Sequence, residues 1–260
     1  MSPTPGGRAF IANGKDVMEK PLKGKVALVT GGSRGLGAAT ALELAKQGAD
    51  VAISYVASTE KAQGVRALAV QSDLADMSAA KPLIDRVVTH FGKLDILINN
   101  AAIAVQGKPV DAPDLDTVNL DRQWQINVMG TVATTRAAAP VLSDGGRIIF
   151  VGSLLGSVVP FPAVADYAGT KAALIGYAKG VARDLGPRHI TANVIQTGVM
   201  PTDMAAPMME AGFIDSIMDL HPVRRIATLE EVAATICFFA GPNGGYTTGD
   251  VISIAGGVGI

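Results

Sequence analysis

The chain has 260 residues, of which 48% are hydrophobic, and this size and composition suit one large domain with a full core. Its 22 basic and 23 acidic residues are well mixed and give a formal net charge of -1. The balance argues against a broad basic face for nucleic acid or anionic lipid, and it favours a small neutral or acidic ligand.

Cysteine content and the apolar runs indicate a reducing, cytoplasmic location. Cys237 is the only cysteine and lies in the apolar run ATICFFA, so we expect a buried structural thiol. The first twenty residues contain no apolar signal-peptide core, and no later stretch is long and apolar enough to span a membrane. We expect no membrane partner, a flexible extension at residues 1–20 and a single domain at residues 21–260.

Seven short runs rich in β-branched residues predict parallel strands, at residues 26–30, 51–55, 67–70, 94–99, 147–152, 190–195 and 250–255. Helical stretches alternate with them, at residues 36–47, 76–91, about 119–142, about 164–185 and 228–240. This alternation predicts an α/β fold with a doubly wound parallel sheet, whose ligands bind beyond the carboxyl ends of the strands. Only eleven residues, 56–66, join the second strand to the third, so that crossover is expected to be short.

A glycine-rich loop, TGGSRGLG at residues 30–37, follows the first predicted strand and opens the first helix. Glycines let the backbone approach a pyrophosphate, which unpaired N–H groups at the helix start then bind. The same letters match G-x-S-x-G, which would make Ser33 the nucleophile of a serine hydrolase. That fold needs earlier strands and an upstream oxyanion loop, whereas only residues 1–25 precede the first strand here, so dinucleotide binding is the favoured interpretation.

A tyrosine and a lysine four positions apart, Tyr167 and Lys171 in YAGTK, lie one turn apart on a predicted helix with only small residues between them. Alone the pair is a weak signal, because a surface lysine is a simple alternative. Further motifs follow one another along the chain: NNAA at 99–102, INV at 126–128, GS at 152–153 and TTGDVISIAGG at 247–257. Together with the glycine loop, they make residues 22–260 resemble a short-chain dehydrogenase/reductase.

The resemblance implies a single Rossmann-like catalytic domain with strand order 3-2-1-4-5-6-7, assembled as a homotetramer or homodimer. It implies that Tyr167 is the acid/base that exchanges a proton with a carbonyl or alcohol oxygen, while Ser153 hydrogen-bonds that oxygen. Lys171, together with the nicotinamide cation, would lower the pKa of the phenol. Asn127 would bend its helix and hold a water that links Lys171 to solvent. The alternative is that all four residues are only structural.

The resemblance also implies a set of cofactor-binding residues: Gly31, Ser33, Arg34, Gly35, Leu36, Gly37, Tyr55, Asp73, Leu74, Asn100, Ala101, Ala102, Tyr167, Lys171, Val199, Met200 and Thr202. No metal site is expected, because the three histidines, His90, His189 and His221, are isolated in the sequence.

Four features depart from the family pattern. Ala102 replaces the usual glycine of N-N-A-G, and Thr197 stands where proline usually precedes glycine. Ala255 replaces the acid of a terminal D-G-G. Ser153 and Tyr167 are fourteen positions apart, where thirteen is commonest. We expect the first two to alter how the nicotinamide is seated, and none of the four removes a catalytic group.

The end of the second predicted strand indicates the choice of cofactor. NAD-using relatives place an acid there that bonds the ribose 2′-hydroxyl. Here Tyr55 stands at that position, and no carboxylate follows until Glu60. Arg34 can make a forked contact with a 2′-phosphate, although a solvated loop charge is the alternative. We therefore expect NADP(H) in preference to NAD(H).

The main functional hypothesis is a reductase or dehydrogenase of small or medium, largely apolar carbonyl and alcohol substrates. Residues 199–221, where the family has its lid, contain five methionines that suit varied apolar ligands or an ordinary core. The alternatives are a 3-oxoacyl-carrier-protein reductase, a non-catalytic dinucleotide-binding regulatory protein, and the serine hydrolase.

Charge separates the carrier-protein alternative from the main hypothesis. Relatives that dock an acidic carrier have basic residues before the fifth strand and after the catalytic helix. Arg183 and Arg188 match the second group, but residues 137–146 contain no basic residue and carry Asp144. Free carbonyl compounds are therefore favoured over carrier-bound ones.

Overall fold

The computed structural model describes residues 20–56, 67–206 and 213–259. The predicted extension, apart from residue 20, and the predicted short crossover, apart from Val56, lie outside the described residues. Within the described ranges, no helix is long and apolar enough to cross a membrane.

The described residues form one seven-stranded sheet. Its strands are β1 (Val26–Val29), β2 (Asp50–Tyr55), β3 (Ala67–Gln71), β4 (Leu94–Asn99), β5 (Leu142–Ser153), β6 (Thr191–Thr197) and β7 (Val251–Ile254). All neighbouring strands are parallel, and the order is β3-β2-β1-β4-β5-β6-β7. The predicted doubly wound Rossmann-like architecture and its strand order are confirmed.

Helices cover both faces of the sheet. They are α1 (Gly35–Lys46), α2 (Ala80–Phe91), α3 (Thr117–Trp124), a π-helical turn (Gln125–Gly130), α4 (Thr131–Ala138), α5 (Ala165–Leu185), α6 (Phe213–Met218) and α7 (Leu229–Ala240). Successive strand residues point to opposite faces. Ala27 and Val29 accordingly pack in the core beneath α1 and α7, whereas Val26 and Leu28 pack in the core beneath α2, α4 and α5.

The predicted helix at about 119–142 differs from the observed one. It starts at Thr117, passes through the π-helical turn, and ends at Ala138. Strand β5 then begins at Leu142, earlier than predicted, because Leu142 pairs with Leu94 ahead of an irregularity in the β4–β5 register. Gly145 has φ +73°, a conformation that glycine adopts readily. It lets the strand continue past a sequence that reads as a turn.

Candidate active site

The carboxyl ends of β1, β4, β5 and β6 meet at one edge of the sheet and carry most of the predicted site residues. Thr30 joins two of these ends, because its Oγ1 accepts hydrogen bonds from the N–H groups of Asn100 (3.0 Å) and Ala101 (3.1 Å). Asn100 Nδ2 in turn donates to the carbonyl oxygens of Thr30 (2.9 Å) and Gly31 (3.3 Å). The glycine loop is thereby tied to the end of β4.

Three glycines give the loop after β1 its shape. Gly31 and Gly35 have φ of +64° and +53°, in the left-handed region that favours glycine. A Cβ on Gly37 would lie 2.4 Å from the carbonyl oxygen of Gly31 and 2.5 Å from Asn100 Nδ2, so no other residue fits there without movement. Arg34 stands at the N-cap of α1, and no side chain among the described residues caps this helix. Its first N–H groups are therefore open to an anion, as a bound pyrophosphate requires.

The adenosine side of the predicted cofactor site lies beyond β2 and β3. Tyr55, at the end of β2, is half-buried and packs against the core beneath α1. Asp73 accepts a hydrogen bond from the N–H of Ala75 (2.9 Å) and forms an ion pair with Arg122 (3.1 Å). Leu74 is buried. The structure thus places these residues along the edge that continues from the glycine loop.

The segment after β6 crosses over the glycine loop. A Cβ placed on Gly35 would lie 3.4 Å from Thr202 Cγ2, so Thr202 faces the start of α1. Met200 packs against the core beneath α1. Asp203 forms an ion pair with Arg34, with 2.9 Å between Oδ2 and the guanidinium nitrogen. Thr202 and Asp203 therefore lie next to the glycine loop, whereas the carbonyl oxygen of Val199 accepts a hydrogen bond from the N–H of Ala227 (3.1 Å).

Ser153, Tyr167 and Lys171 come together between the end of β5 and the first turns of α5. Ser153 hydrogen-bonds the Tyr167 side chain, and its Oγ also accepts from the N–H of Leu155 (3.2 Å). Lys171 is buried, and its Nζ donates to the carbonyl oxygen of Val151 (3.0 Å). The same Nζ lies 5.7 Å from the centroid of the Tyr167 ring.

Burial dominates the electrostatics of the tyrosine and the lysine in the protein alone. Burial raises the pKa of Tyr167 to about 12, and the hydrogen bond from Ser153 offsets only part of that rise. Burial also lowers the pKa of Lys171 to about 8. The protein alone therefore does not lower the phenol pKa, because desolvation of the phenolate dominates and the Lys171 ammonium is directed at the Val151 carbonyl.

Asn127 lies in the π-helical turn and is fully engaged by protein groups. Its Oδ1 accepts from the N–H of Ile103 (2.9 Å), and its Nδ2 donates to the carbonyl oxygen of Ile103 (2.9 Å) and to Thr170 Oγ1 (3.2 Å). Thr170 Oγ1 donates to the carbonyl oxygen of Tyr167 (2.8 Å). The irregular helix at Asn127 fits the implied bend. Both Nδ2 hydrogens are used, so an oxygen atom of Asn127 would hold the relay water that the resemblance implies.

The structure also ties down the segment after Ala102, which the sequence analysis did not identify. The N–H of Ile103 donates to Asn127 Oδ1, and the N–H of Val105 donates to Gln123 Oε1 (2.5 Å). The N–H of Gly107 donates to the carbonyl oxygen of Ala163 (2.8 Å). Gln123 and Asn127 are one helical turn apart, which is the signal that could have revealed the pair. Ala163 has φ +69°, in the segment that carries one residue more than is usual between Ser153 and Tyr167.

Two of the departures from the family pattern, at Thr197 and Ala255, fit the local packing. Gly198 lies against Ala255, since a Cβ on Gly198 would be 3.0 Å from Ala255 Cα. The Thr197 hydroxyl points back toward the carbonyl oxygen of Gly152, at the long distance of 3.4 Å. Ser153 keeps its place at the end of β5, where it pairs with Thr197 in the sheet register.

Two other side chains have structural environments. The buried thiol expected at Cys237 is confirmed, and burial raises its pKa to about 12. His221 is buried with Nδ1 2.7 Å from the carbonyl oxygen of Ile217. Across the three described ranges, no group of three or more His, Cys, Asp or Glu residues could hold a metal ion.

Comparison with known proteins gives the family. Residues 31–259 match the family described as Enoyl-(Acyl carrier protein) reductase. A solved short-chain dehydrogenase/reductase from Serratia marcescens BCRC 10948 is 42% identical, with a TM-score of 0.87 over 92% of this chain and 100% of that one. The chain is a short-chain dehydrogenase/reductase. This membership excludes the alternative in which Ser33 is a hydrolase nucleophile.

Relatives of this short-chain dehydrogenase/reductase have varied names. The Cyclic-di-GMP-binding biofilm dispersal mediator protein of Escherichia coli K12 is 39% identical over 240 residues, covering 91% of this chain and 98% of that protein. Versicolorin reductase 1 of Dothistroma septosporum is 34% identical over 256 residues, covering 91% and 96%. A short-chain dehydrogenase from Burkholderia cenocepacia J2315, solved with NADP, is 42% identical with a TM-score of 0.85, covering 92% and 100%.

Proposed function

We propose that this short-chain dehydrogenase/reductase transfers hydride between NADP(H) and a small or medium, largely apolar carbonyl or alcohol substrate. The observation that carries the proposal is the grouping of Ser153, Tyr167 and Lys171 beside an open glycine loop at one edge of the sheet. The names of the versicolorin reductases support reduction as the chemical class.

The nicotinamide supplies the hydride, and the residues of the chain manage the oxygen and the proton. In reduction, the carbonyl carbon gains the hydride while its oxygen accepts a hydrogen bond from Ser153 and a proton from the Tyr167 phenol. With its pKa raised to about 12, the phenol is fully protonated at neutral pH in the cofactor-free protein, and this suits a proton donor. The Lys171 ammonium, 5.7 Å from the ring centroid, favours the phenolate that remains until solvent returns the proton.

NADP(H) is the proposed cofactor because Tyr55, and not an acid, stands at the end of β2, the position where NAD-using relatives bond the ribose 2′-hydroxyl. Tyr55 ends β2, and Arg34 stands at the mouth of the loop with a guanidinium that matches a phosphate. Neighbouring structures from Burkholderia cenocepacia and of BdcA were solved with NADP and NADPH. Steady-state rates with NADPH and NADH test the preference, and equal efficiency would contradict it.

Free substrates are proposed over carrier-bound ones, because one of the two arginines after the catalytic helix, Arg183 and Arg188, is neutralised by an ion pair. Arg188 forms an ion pair with Asp144 (2.8 Å) and also donates to the carbonyl oxygens of Ala139 and Leu142. Of the two arginines noted in the sequence, Arg183 alone therefore keeps its charge available to an acidic carrier. Rim charges of this kind govern how fast a carrier protein docks.

The carrier question is tested with one acyl group in two forms. Efficiency is measured on acetoacetyl attached to a carrier protein and on acetoacetyl attached to a short thioester. We expect similar values. An advantage of a hundredfold or more for the carrier form, lost as salt is raised, would contradict the proposal.

The central test is Tyr167→Phe. Removal of the proton donor is expected to abolish nearly all turnover, since general acid catalysis contributes about 100- to 10000-fold. NADPH affinity is expected to stay within about twofold, because only one hydroxyl is lost. Near-wild-type turnover in this variant would overturn the assignment.

A second candidate function is a regulatory protein that binds a dinucleotide without turning over a substrate. The name of the 39% identical Escherichia coli relative favours keeping this candidate. Two assays separate the candidates: oxidation of a panel of alcohols with NADP, and calorimetric titration with cyclic-di-GMP. Turnover that depends on Tyr167 supports the enzyme, whereas cyclic-di-GMP binding without turnover supports the regulator.

We also propose a cytoplasmic homotetramer. The edge strand β7 has no neighbour on its outer side within the described part of the chain, and Phe238 on α7 and Tyr246 near β7 are exposed. A second copy could cover this apolar edge. Light scattering at several concentrations measures the assembly, and a monomer throughout would contradict it.

A further inference from the structure

We infer that Asp203 competes with the 2′-phosphate of NADP(H) for Arg34, because its carboxylate forms an ion pair with the guanidinium that would bind that phosphate. The inference rests on the proposed function, and in particular on the proposed role of Arg34. It makes Asp203 a determinant of cofactor selectivity for which neither the family motifs nor the glycine loop gives a sign.

The ion pair joins two distant parts of the chain across the cofactor side of the site. Arg34 is the residue immediately before α1, and Asp203 lies 169 positions later in the segment after β6. The separation between Arg34 Nη1 and Asp203 Oδ2 is 2.9 Å. Thr202, next to Asp203, faces Gly35, so two consecutive residues of the later segment face two consecutive residues of the loop.

A carboxylate and a phosphate are similar ligands for a guanidinium. Both present two oxygens at the spacing of the Arg fork, and phosphate carries the larger charge. In the protein alone, Asp203 binds the Arg34 guanidinium through one contact, between Nη1 and Oδ2, and so competes for a group that a 2′-phosphate would also use. Within the described residues, Asp203 is the only acidic side chain that forms an ion pair with Arg34.

The strength of the pair allows exchange. The two side chains are 65% and 70% exposed, and ion pairs this open to water are weak and sensitive to salt. A doubly charged phosphate can displace the carboxylate, but the ion pair must break first, and this subtracts from what the phosphate gains by binding Arg34. The NADPH affinity is therefore lower than Arg34 alone would give, whereas NADH, which has no 2′-phosphate, does not take part in this exchange.

The experiment measures the dissociation constants of NADPH and NADH for five proteins by fluorescence titration: wild type, Asp203→Asn, Arg34→Gln, the double variant and Asp85→Asn. Asp85 pairs with Lys81 on the remote helix α2, so its variant controls for the loss of one negative charge. Asp203→Asn is expected to tighten NADPH about two- to fivefold, the range for an exposed pair, and to change NADH by less. The gain should shrink at high salt.

The Arg34→Gln variants keep the two ideas separate. If Asp203 acts through Arg34, Asp203→Asn leaves the ratio of NADPH to NADH affinity unchanged in the Arg34→Gln background. An unchanged ratio or weaker NADPH binding in Asp203→Asn alone would overturn the inference about Asp203. An Arg34→Gln protein that keeps the wild-type ratio would instead overturn the proposed role of Arg34 in binding the 2′-phosphate.

Discussion

Replacing Lys171 with methionine is expected to abolish turnover and yet to stabilise the fold at neutral pH. The side chain is buried, and lowering its pKa from 10.5 to about 8 makes the charged form about 3 kcal/mol less favourable in the folded protein than in the unfolded chain. Methionine removes that cost at similar volume. It leaves the Val151 carbonyl without its Nζ donor, a loss of about 1–3 kcal/mol, so the net gain is about 1 kcal/mol.

The pH dependence of this difference has a definite sign. Lys171 is charged in both states at pH 7, so the full cost is present there. As pH rises from 8 toward 10.5, the folded protein releases the proton before the unfolded chain does, and the wild type regains stability. At about pH 9.5 the remaining cost is about 1 kcal/mol, so the advantage of the methionine variant falls by about 2 kcal/mol and reverses.

Denaturant unfolding of the cofactor-free proteins at pH 7 and at about pH 9.5 measures both effects. Lys81→Met, a change at an exposed lysine on α2, controls for the loss of one charge. The change with pH does not depend on the value assigned to the Val151 carbonyl, since that term cancels. A stability difference that stays constant between the two pH values would refute the reasoning.

Three further outcomes follow from the site. The initial rate of reduction by NADPH should be nearly constant between about pH 6 and 8, because the raised pKa of Tyr167 keeps the phenol protonated. For the same reason, the initial rate of alcohol oxidation should rise with pH. Gly37→Ala should abolish NADPH binding in a fluorescence titration, because its Cβ would lie 2.4 Å from the Gly31 carbonyl oxygen. Gly169→Ala should shift the emission of Trp124, the only tryptophan, because the new Cβ would lie 3.0 Å from its ring.

Matched glycine controls are available on the same helix as Gly169. At Gly176 and Gly180 of α5, nothing lies within 4 Å of where a Cβ would be. Alanine at these positions should keep the wild-type emission and NADPH affinity, and should raise stability slightly through helix propensity. An emission shift of the same size in these controls would show that the Trp124 effect is not local.

The sheet could be predicted from the sequence because its strands are buried on both faces and read as short continuous apolar runs. β4 and β6 are buried along their whole length, and both were located to within one or two residues. The start of β5 was missed because Asp144, Gly145 and Gly146 form a turn-like sequence. Pairing between Leu142 and Leu94 is a tertiary effect that this local pattern does not contain.

The residues of the candidate site were predictable, whereas their energetics were not. Motif order was enough to place Ser153, Tyr167 and Lys171 at one edge of the sheet. The raised pKa of Tyr167 depends on how completely neighbouring elements exclude water, and this is a property of packing rather than of spacing. The pairing of Arg188 with Asp144 was missed for the same reason, because the two residues meet only when the chain folds.

The left-handed alanine at position 163 bears on how rigidly the segments after β4 and β5 are joined. Its carbonyl oxygen holds the N–H of Gly107, so the segment after β5 is fastened to the segment after β4. A non-glycine residue in this conformation costs about 1 kcal/mol, which glycine would avoid. Glycine would also let the backbone at this position adopt other angles. Retaining alanine therefore sacrifices a little folding free energy and keeps the segments after β4 and β5 at a fixed separation.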